Sequence, residues 1–249
     1  MAKAVNAKYR DIVKLFNSLT GSKGAWEVWN DVIQMIACSL SNPLDNGDRK
    51  EKREKLYTDI EKKYTPEEIQ TILQIFVTIT NKLEENPDQD LLGDLYMNLD
   101  FGSAALGQFF TPYSVSAMMA QVSLDVEHVK KEIEGRGYMT INEPCCGGGA
   151  NVIAACQSLR DAGINYQESC LFLCQDLSYV TALMCYIQMS LIGAAAIIKI
   201  GDTLVNPAIE NQTLLEIDSN VWFTPMYQST LWQIRRQGKL LDEMLNSLS

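Results

Sequence analysis

From about residue 138 the chain changes period. Short apolar runs, YMTIN at 138–142, CLFLCQ at 170–175, AIIKIG at 196–201 and NVWFT at 220–224, alternate with stretches of helical pattern at about 149–162 and 178–192. Strands alternating with helices predict βαβ units and a mostly parallel sheet. Such sheets bind ligands beyond the carboxyl ends of their strands. The residues that follow each run are therefore where chemistry is expected.

The first run ends in Asn142-Glu143-Pro144-Cys145-Cys146-Gly147-Gly148-Gly149. Three glycines let the backbone pass close under a ligand and turn into a helix. That helix N-terminus offers unpaired N–H groups and the positive end of its dipole. Dinucleotide folds hold pyrophosphate at this corner. Here G-x-G-x-x-G and the P-loop lysine are both absent, and Glu143 stands in the loop itself. A carboxylate beside the glycines suits a ligand with a cationic amino group better than a polyphosphate, which disfavours a nicotinamide dehydrogenase. The second run ends in Gln175-Asp176-Leu177, where a carboxylate is placed to accept hydrogen bonds from a ribose diol. The third ends in Gly201-Asp202-Thr203, where Asp202 can reach an adenine amino group. Each Asp taken alone also suits a helix cap. Ahead of the sheet stands GQFFTPYSV at 107–115. Thr111 then Pro112 predicts a helix start, cap followed by first position. The two phenylalanines before it line an apolar ligand site or simply pack.

Residues 1–100 read as a helical region, with the sheet domain at 101–249. Ile12, Val13, Leu15, Phe16 and Leu19 recur at helical spacing, as do Trp26, Trp29, Val32, Ile33, Ile36 and Leu40. TPEE at 65–68 is a capping box. A further helix is predicted over about 89–100. None of these helices shows chemistry on its face, and the two tryptophans read as core.

Charge bounds the partners. The net charge is −10, and only RKEKREK at 49–55 and RRQGK at 235–239 are basic. The first alternates in sign and reads as a solvated helix face. A grip on DNA phosphates needs a basic face, so DNA binding is expected to be weak for this chain alone. Seven cysteines, an odd count without framework spacing, fit free thiols in a reducing cytoplasm. Cys170 and Cys174 fall in an apolar run and His128 is the only histidine, so no metal site is expected. Neither a membrane span nor a signal peptide is expected.

Taken in order, DLLGDLYMNLD at 90–100, GQFFTP at 107–112, NEPCCGGG at 142–149, CQD at 174–176 and GDT at 201–203 resemble the N6-adenine DNA methyltransferases. The likeness is to the modification subunits of type I restriction systems and their phage or mobile-element relatives. It implies an α/β fold: a Rossmann-like, S-adenosylmethionine-dependent methyltransferase sheet, truncated and mostly parallel, behind an all-α N-terminal region. It implies S-adenosyl-L-methionine as cofactor and DNA as partner. Phe110, Thr111 and Pro112 would then help hold the methionine and adenosine parts. Glu143, Pro144 and the loop backbone from Cys145 through Gly147 to Gly149 would take the methionine end. Asp176 with Leu177 would take the ribose, and Asp202 with Thr203 the adenine.

The family's catalytic segment is N-P-P-[YF]. At the matching place this chain has Thr224-Pro225-Met226-Tyr227. In the family the target adenine is flipped out of the duplex. The Asn oxygen and the following carbonyl accept its amine hydrogens, and the aromatic ring stacks on the base. Thr224, Pro225 and Tyr227 are thus the candidate catalytic residues, although a threonine hydroxyl is a shorter, differently aimed acceptor. Losing such a contact typically costs about 10²–10³ in rate. Two functions lead: a DNA adenine-N6 methyltransferase of a restriction-modification or mobile-element system, or a catalytically impaired relative that binds the cofactor as a regulatory or DNA- or protein-binding module. A small-molecule or protein methyl acceptor also stays open, since fold does not fix the acceptor. Beyond Tyr227 only one amphipathic helix is predicted, with no later strands and no target-recognition domain. The exposed sheet edge is expected to be covered by that helix, by a second copy or by a partner subunit that supplies target recognition.

Overall fold

A computed structural model describes residues 7–21, 23–99, 101, 110–210 and 220–247, with side chains described as far as residue 238. Gly107, Gln108 and Phe109 lie outside the described residues. Among the described residues, a short 3-10 turn (Ala7–Tyr9) leads into five α-helices: α1 (Arg10–Leu19), α2 (Ala25–Ser41), α3 (Gly47–Glu61), α4 (Pro66–Glu85) and α5 (Leu91–Asn98). The capping box forms at α4: Thr65 Oγ1 accepts the Glu68 amide, and the Glu68 carboxylate accepts the Thr65 amide at 2.8 Å. Trp29 is core, whereas Trp26 keeps one side in solvent and packs edge-on against Tyr96 and Phe101.

Next come α6 (Tyr113–Ser123), α7 (Val126–Arg136), β1 (Met139–Glu143), α8 (Ala150–Asp161), α9 (Tyr166–Ser169), β2 (Cys170–Asp176), α10 (Tyr179–Leu191), β3 (Ala195–Ile200), β4 (Val221–Phe223) and α11 (Thr230–Ser247). α6 starts one residue later than the Thr-Pro pair predicts. Pro112 is itself the capping residue, extended at ψ 137°, with no side-chain cap bond. No helix among the described residues is long and apolar enough to cross a membrane.

The sheet order is β1-β2-β3-β4. β1 pairs with β2 and β2 with β3 in parallel, while β4 runs antiparallel to β3. Strands that step in one direction put both crossover helices on one face. Residue alternation agrees. Cys170, Phe172, Cys174, Ala196 and Ile198 share a core with α8 and α10, while Leu171, Leu173, Ala195 and Ile197 face Tyr138, Phe223, Tyr227 and Trp232 on the other side. Every residue of α10 from Val180 to Met189 is buried. One side of this helix covers β2 and β3, and the other meets α2, α4 and α5. A helix apolar all round needs such double cover. The predicted helical region and sheet domain therefore share one continuous core.

The stretch 49–55 is not simply a solvated face. Arg53 is 3% exposed. Its guanidinium pairs with Asp45, lies 3.6 Å over the Trp222 ring and donates to the Val221 carbonyl at 2.8 Å. Ile200 donates to the Asn220 carbonyl and Thr224 to that of Ala196, so the Val221 carbonyl faces away from β3. An arginine can satisfy that outer edge and stack on an indole at once. Alternating charge on α3 conceals this, because position 53 differs from its neighbours only in what it packs on.

Candidate functional site

The glycine loop crosses the carboxyl ends of β1 and β2. Cys146 donates its amide to the Gln175 carbonyl at 2.8 Å, and Gly149 donates to Cys146 at 2.8 Å. Gly147 sits at φ +51°, and a Cβ there would lie 3.3 Å from the Phe110 ring; Gly149 sits at φ +107° against Cys185. Both positions need glycine for backbone conformation and for space.

A cavity of about 200 Å³ opens over this loop. Of the predicted residues, Phe110, Thr111, Cys145, Gly147 and Asp176 line it. Asp176 braces the site: its carboxylate accepts the amides of Gly147 and Ser178, both at 2.8 Å, and the Thr181 hydroxyl at 3.0 Å. Cys146 and Gly148, within the predicted Cys145–Gly149 backbone, line the cavity too; Ala150, Asn151, Thr181 and Asp90 also do, and sequence reasoning missed them. Asn151 and Ala150 belong to the first turn of α8, whose free amides favour an anionic group. Asp90 caps α5, a helix read as free of chemistry. The available signal was its place at the head of DLLGDLYMNLD.

Other predicted residues are not brought to the cavity wall. Glu143 accepts the Cys145 amide at 3.3 Å and the Asn151 side-chain amide at 3.2 Å, and Asn151 in turn accepts the Ser116 hydroxyl at 2.8 Å. Glu143 thus ties the loop to α8 and α6, and it borders a separate groove with Met119, Leu124 and Ile141. Pro112, Pro144 and Leu177 are exposed. Gly149 is buried beneath the loop. Asp202 is exposed and folds back on its own turn, accepting the Leu204 amide at 2.9 Å, and neither it nor Thr203 lines the cavity.

Thr224, Pro225 and Tyr227 lie at the other end of the sheet. Because β4 is antiparallel, its last residue meets the start of β3: Thr224 donates its hydroxyl to the Ala194 carbonyl at 2.7 Å and accepts the Ala196 amide at 2.8 Å. Asp176 is opposite Ile200, at the far end of β3. At about 3.3 Å per residue, the length of β3 puts roughly 15 Å between the two ends. Thr224 is wholly buried, and Tyr227 is 2% exposed and stacked on Phe223. Neither presents a free face to a base. The sequence order of the motifs does not become a shared site, because strand direction decides which end a motif occupies.

The cavity suits a small ligand bearing both polar and charged groups. Phe110 gives an apolar wall, the α8 N-terminus attracts an anion, and Asp90 and Asp176 attract donors or a cation. The Cys146 thiol is pushed well above its ordinary value by its contact with Cys185 and by burial, which makes it neutral packing and no nucleophile. All seven cysteines are free, and Cys170 and Cys174 are buried. Among the described residues no group of three or more His, Cys, Asp or Glu is placed to hold a metal ion.

A family model described as N-6 DNA methylase matches residues 87–243, from just before α5 into α11. No curated protein and no solved structure matches the chain.

Proposed function

The chain belongs to the N-6 DNA methylase family, and on that premise we propose that it binds S-adenosyl-L-methionine in the cavity over the glycine loop. The observation that carries this is convergence: Phe110, Thr111, Cys145, Gly147 and Asp176 were singled out from separate segments, and all line one cavity. When bound, the cofactor supplies a methyl group on a positively charged sulfur. Phe110 and Thr111 would hold its apolar and adenosine parts. Asp176 keeps acceptor capacity for the ribose beyond the bonds it already makes. The loop backbone and the α8 N-terminus would hold the methionine end, including its carboxylate. The sheet supports a Rossmann-like assignment through its three parallel strands and carboxyl-end cavity, with β4 as the departure.

For the methyl acceptor we take the second of the two functions: a cofactor-binding relative whose Thr224–Tyr227 segment builds the fold and does not receive a base. The burial of Thr224 and Tyr227 at the opposite end of the sheet favours it. DNA is the substrate class of the family, and with a net charge of −10 this chain would engage DNA through a second copy or a partner subunit.

Titration calorimetry of the full chain with S-adenosylmethionine tests cofactor binding, and no heat at millimolar ligand would sink it. DNA from cells expressing the chain tests the acceptor. No N6-methyladenine above background is expected. Methylation that disappears in a Tyr227→Ala chain that still folds and binds S-adenosylmethionine would restore the catalytic assignment.

A further inference from the structure

Asp90 does more than a helix cap requires. Its Oδ1 accepts the Gly93 amide at 2.9 Å and the Gln188 side-chain amide at 2.7 Å. Its Oδ2 accepts no hydrogen bond among the described residues, yet Asp90 is only 3% exposed and lines the cavity. No lysine, arginine or histidine among the described residues pairs with it, and the charged neighbour it feels is Asp94, of like sign. Burial pushes its carboxyl above the usual carboxylate range.

The position is tightly enforced. A Cβ on Gly93 would lie 2.0 Å from Oδ2, so any side chain there would displace the carboxylate. On the other side a Cβ on Gly148 would lie 3.4 Å from Oδ1. Gln188 locks the arrangement: its amide also donates to the Gly148 carbonyl at 2.7 Å, and its oxygen accepts the Leu92 amide at 3.1 Å. Two helices thus press one carboxylate against the glycine loop, in a cavity that gives it no cation. A buried carboxylate without a counter-charge is costly. The arrangement is complementary to a positive charge that arrives with a ligand.

We propose that Asp90, not Glu143, reads the amino group of the ligand's amino-acid end. This rests on the S-adenosylmethionine assignment above and names the residue that selects for the ligand's cation. Glu143 is occupied by Cys145 and Asn151 and stands off the cavity wall, whereas Asp90 is on it.

The test is calorimetry of the full chain with S-adenosylhomocysteine and with its desamino analogue, which lacks only the amino group. The wild-type chain is expected to prefer the amino compound by about tenfold to a hundredfold, the range for a hydrogen bond between charged groups. In Asp90→Asn that preference should fall to within about threefold, through loss of affinity for the amino compound alone. Equal binding of the two compounds by the wild-type chain overturns the proposal, whether or not the variant folds. So does an Asp90→Asn chain that keeps the wild-type ratio. In either case cofactor binding itself stands. Failure of the wild-type chain to bind S-adenosylmethionine and both probes would instead remove the cofactor assignment, and Asp90's role with it.

Discussion

At the residue scale, opposite demands fall on Asp90 and Thr224. The raised carboxyl of Asp90 means that the folded chain holds this proton more tightly than the unfolded chain does. Stability contributed by the protonated form is therefore complete below the ordinary carboxylate range and is lost as pH rises from there through the raised value of the folded chain. Asp94 adds to the effect, while Gln188 and Gly93 oppose it by hydrogen bonding. Without ligand, Asp90→Asn should melt higher than the wild-type chain in neutral buffer, with a gap that widens from acidic to neutral pH. Thermal melts across that range check it, and a gap that narrows would be the wrong sign. Thr224→Val removes a hydroxyl that both donates and accepts inside the sheet. It should cost about 1–3 kcal/mol in denaturant unfolding and leave cofactor affinity unchanged. Gly147, Asp176 and Phe110 were legible because a glycine turn and a strand-end acid carry local signatures. Asp90 was not, since an Asp-x-x-Gly cap looks alike whether it faces solvent or a cavity.

At the element scale the decisive fact is the direction of β4. The existence of all four strands could be read from composition, and their bounds lie within a residue or so of the predicted ones. Direction could not be read. About 20 residues separate Ile200 from Val221, and a link of that length serves either a parallel crossover or an antiparallel return. The sheet uses the return, which carries Thr224–Tyr227 away from the glycine loop. The outer edge of β4 is then closed by α3 through Arg53. Arg53→Ala would strand Asp45, which is as buried as its partner, and would remove the cover over Trp222. A cost of about 3–5 kcal/mol in unfolding free energy is expected from breaking a buried pair on one side. A cost under about 1 kcal/mol would show that the pair behaves as an exposed one.

At the scale of the whole molecule, the cavity over the glycine loop belongs to both halves of the chain. Asp90 comes from the helical region, Phe110 and Thr111 from the segment before α6, and the loop and Asp176 from the sheet. The family match begins at residue 87, yet α2 and α4, which precede it, cover the outer side of α10. A chain begun at residue 87 would expose that apolar face and should not fold cooperatively. Circular dichroism melts and limited proteolysis check this, and a sharp transition would indicate an independent domain. Hydrogen exchange of the full chain with and without S-adenosylmethionine tests most directly where the ligand sits. Slowed exchange is expected at residues 90–93, 145–151 and 176–181, around the cavity, with none at 221–229. Protection centred on 221–229, with the glycine loop unaffected, would contradict a cofactor site at the carboxyl end of the sheet and return the Thr224–Tyr227 segment to the centre of the chemistry.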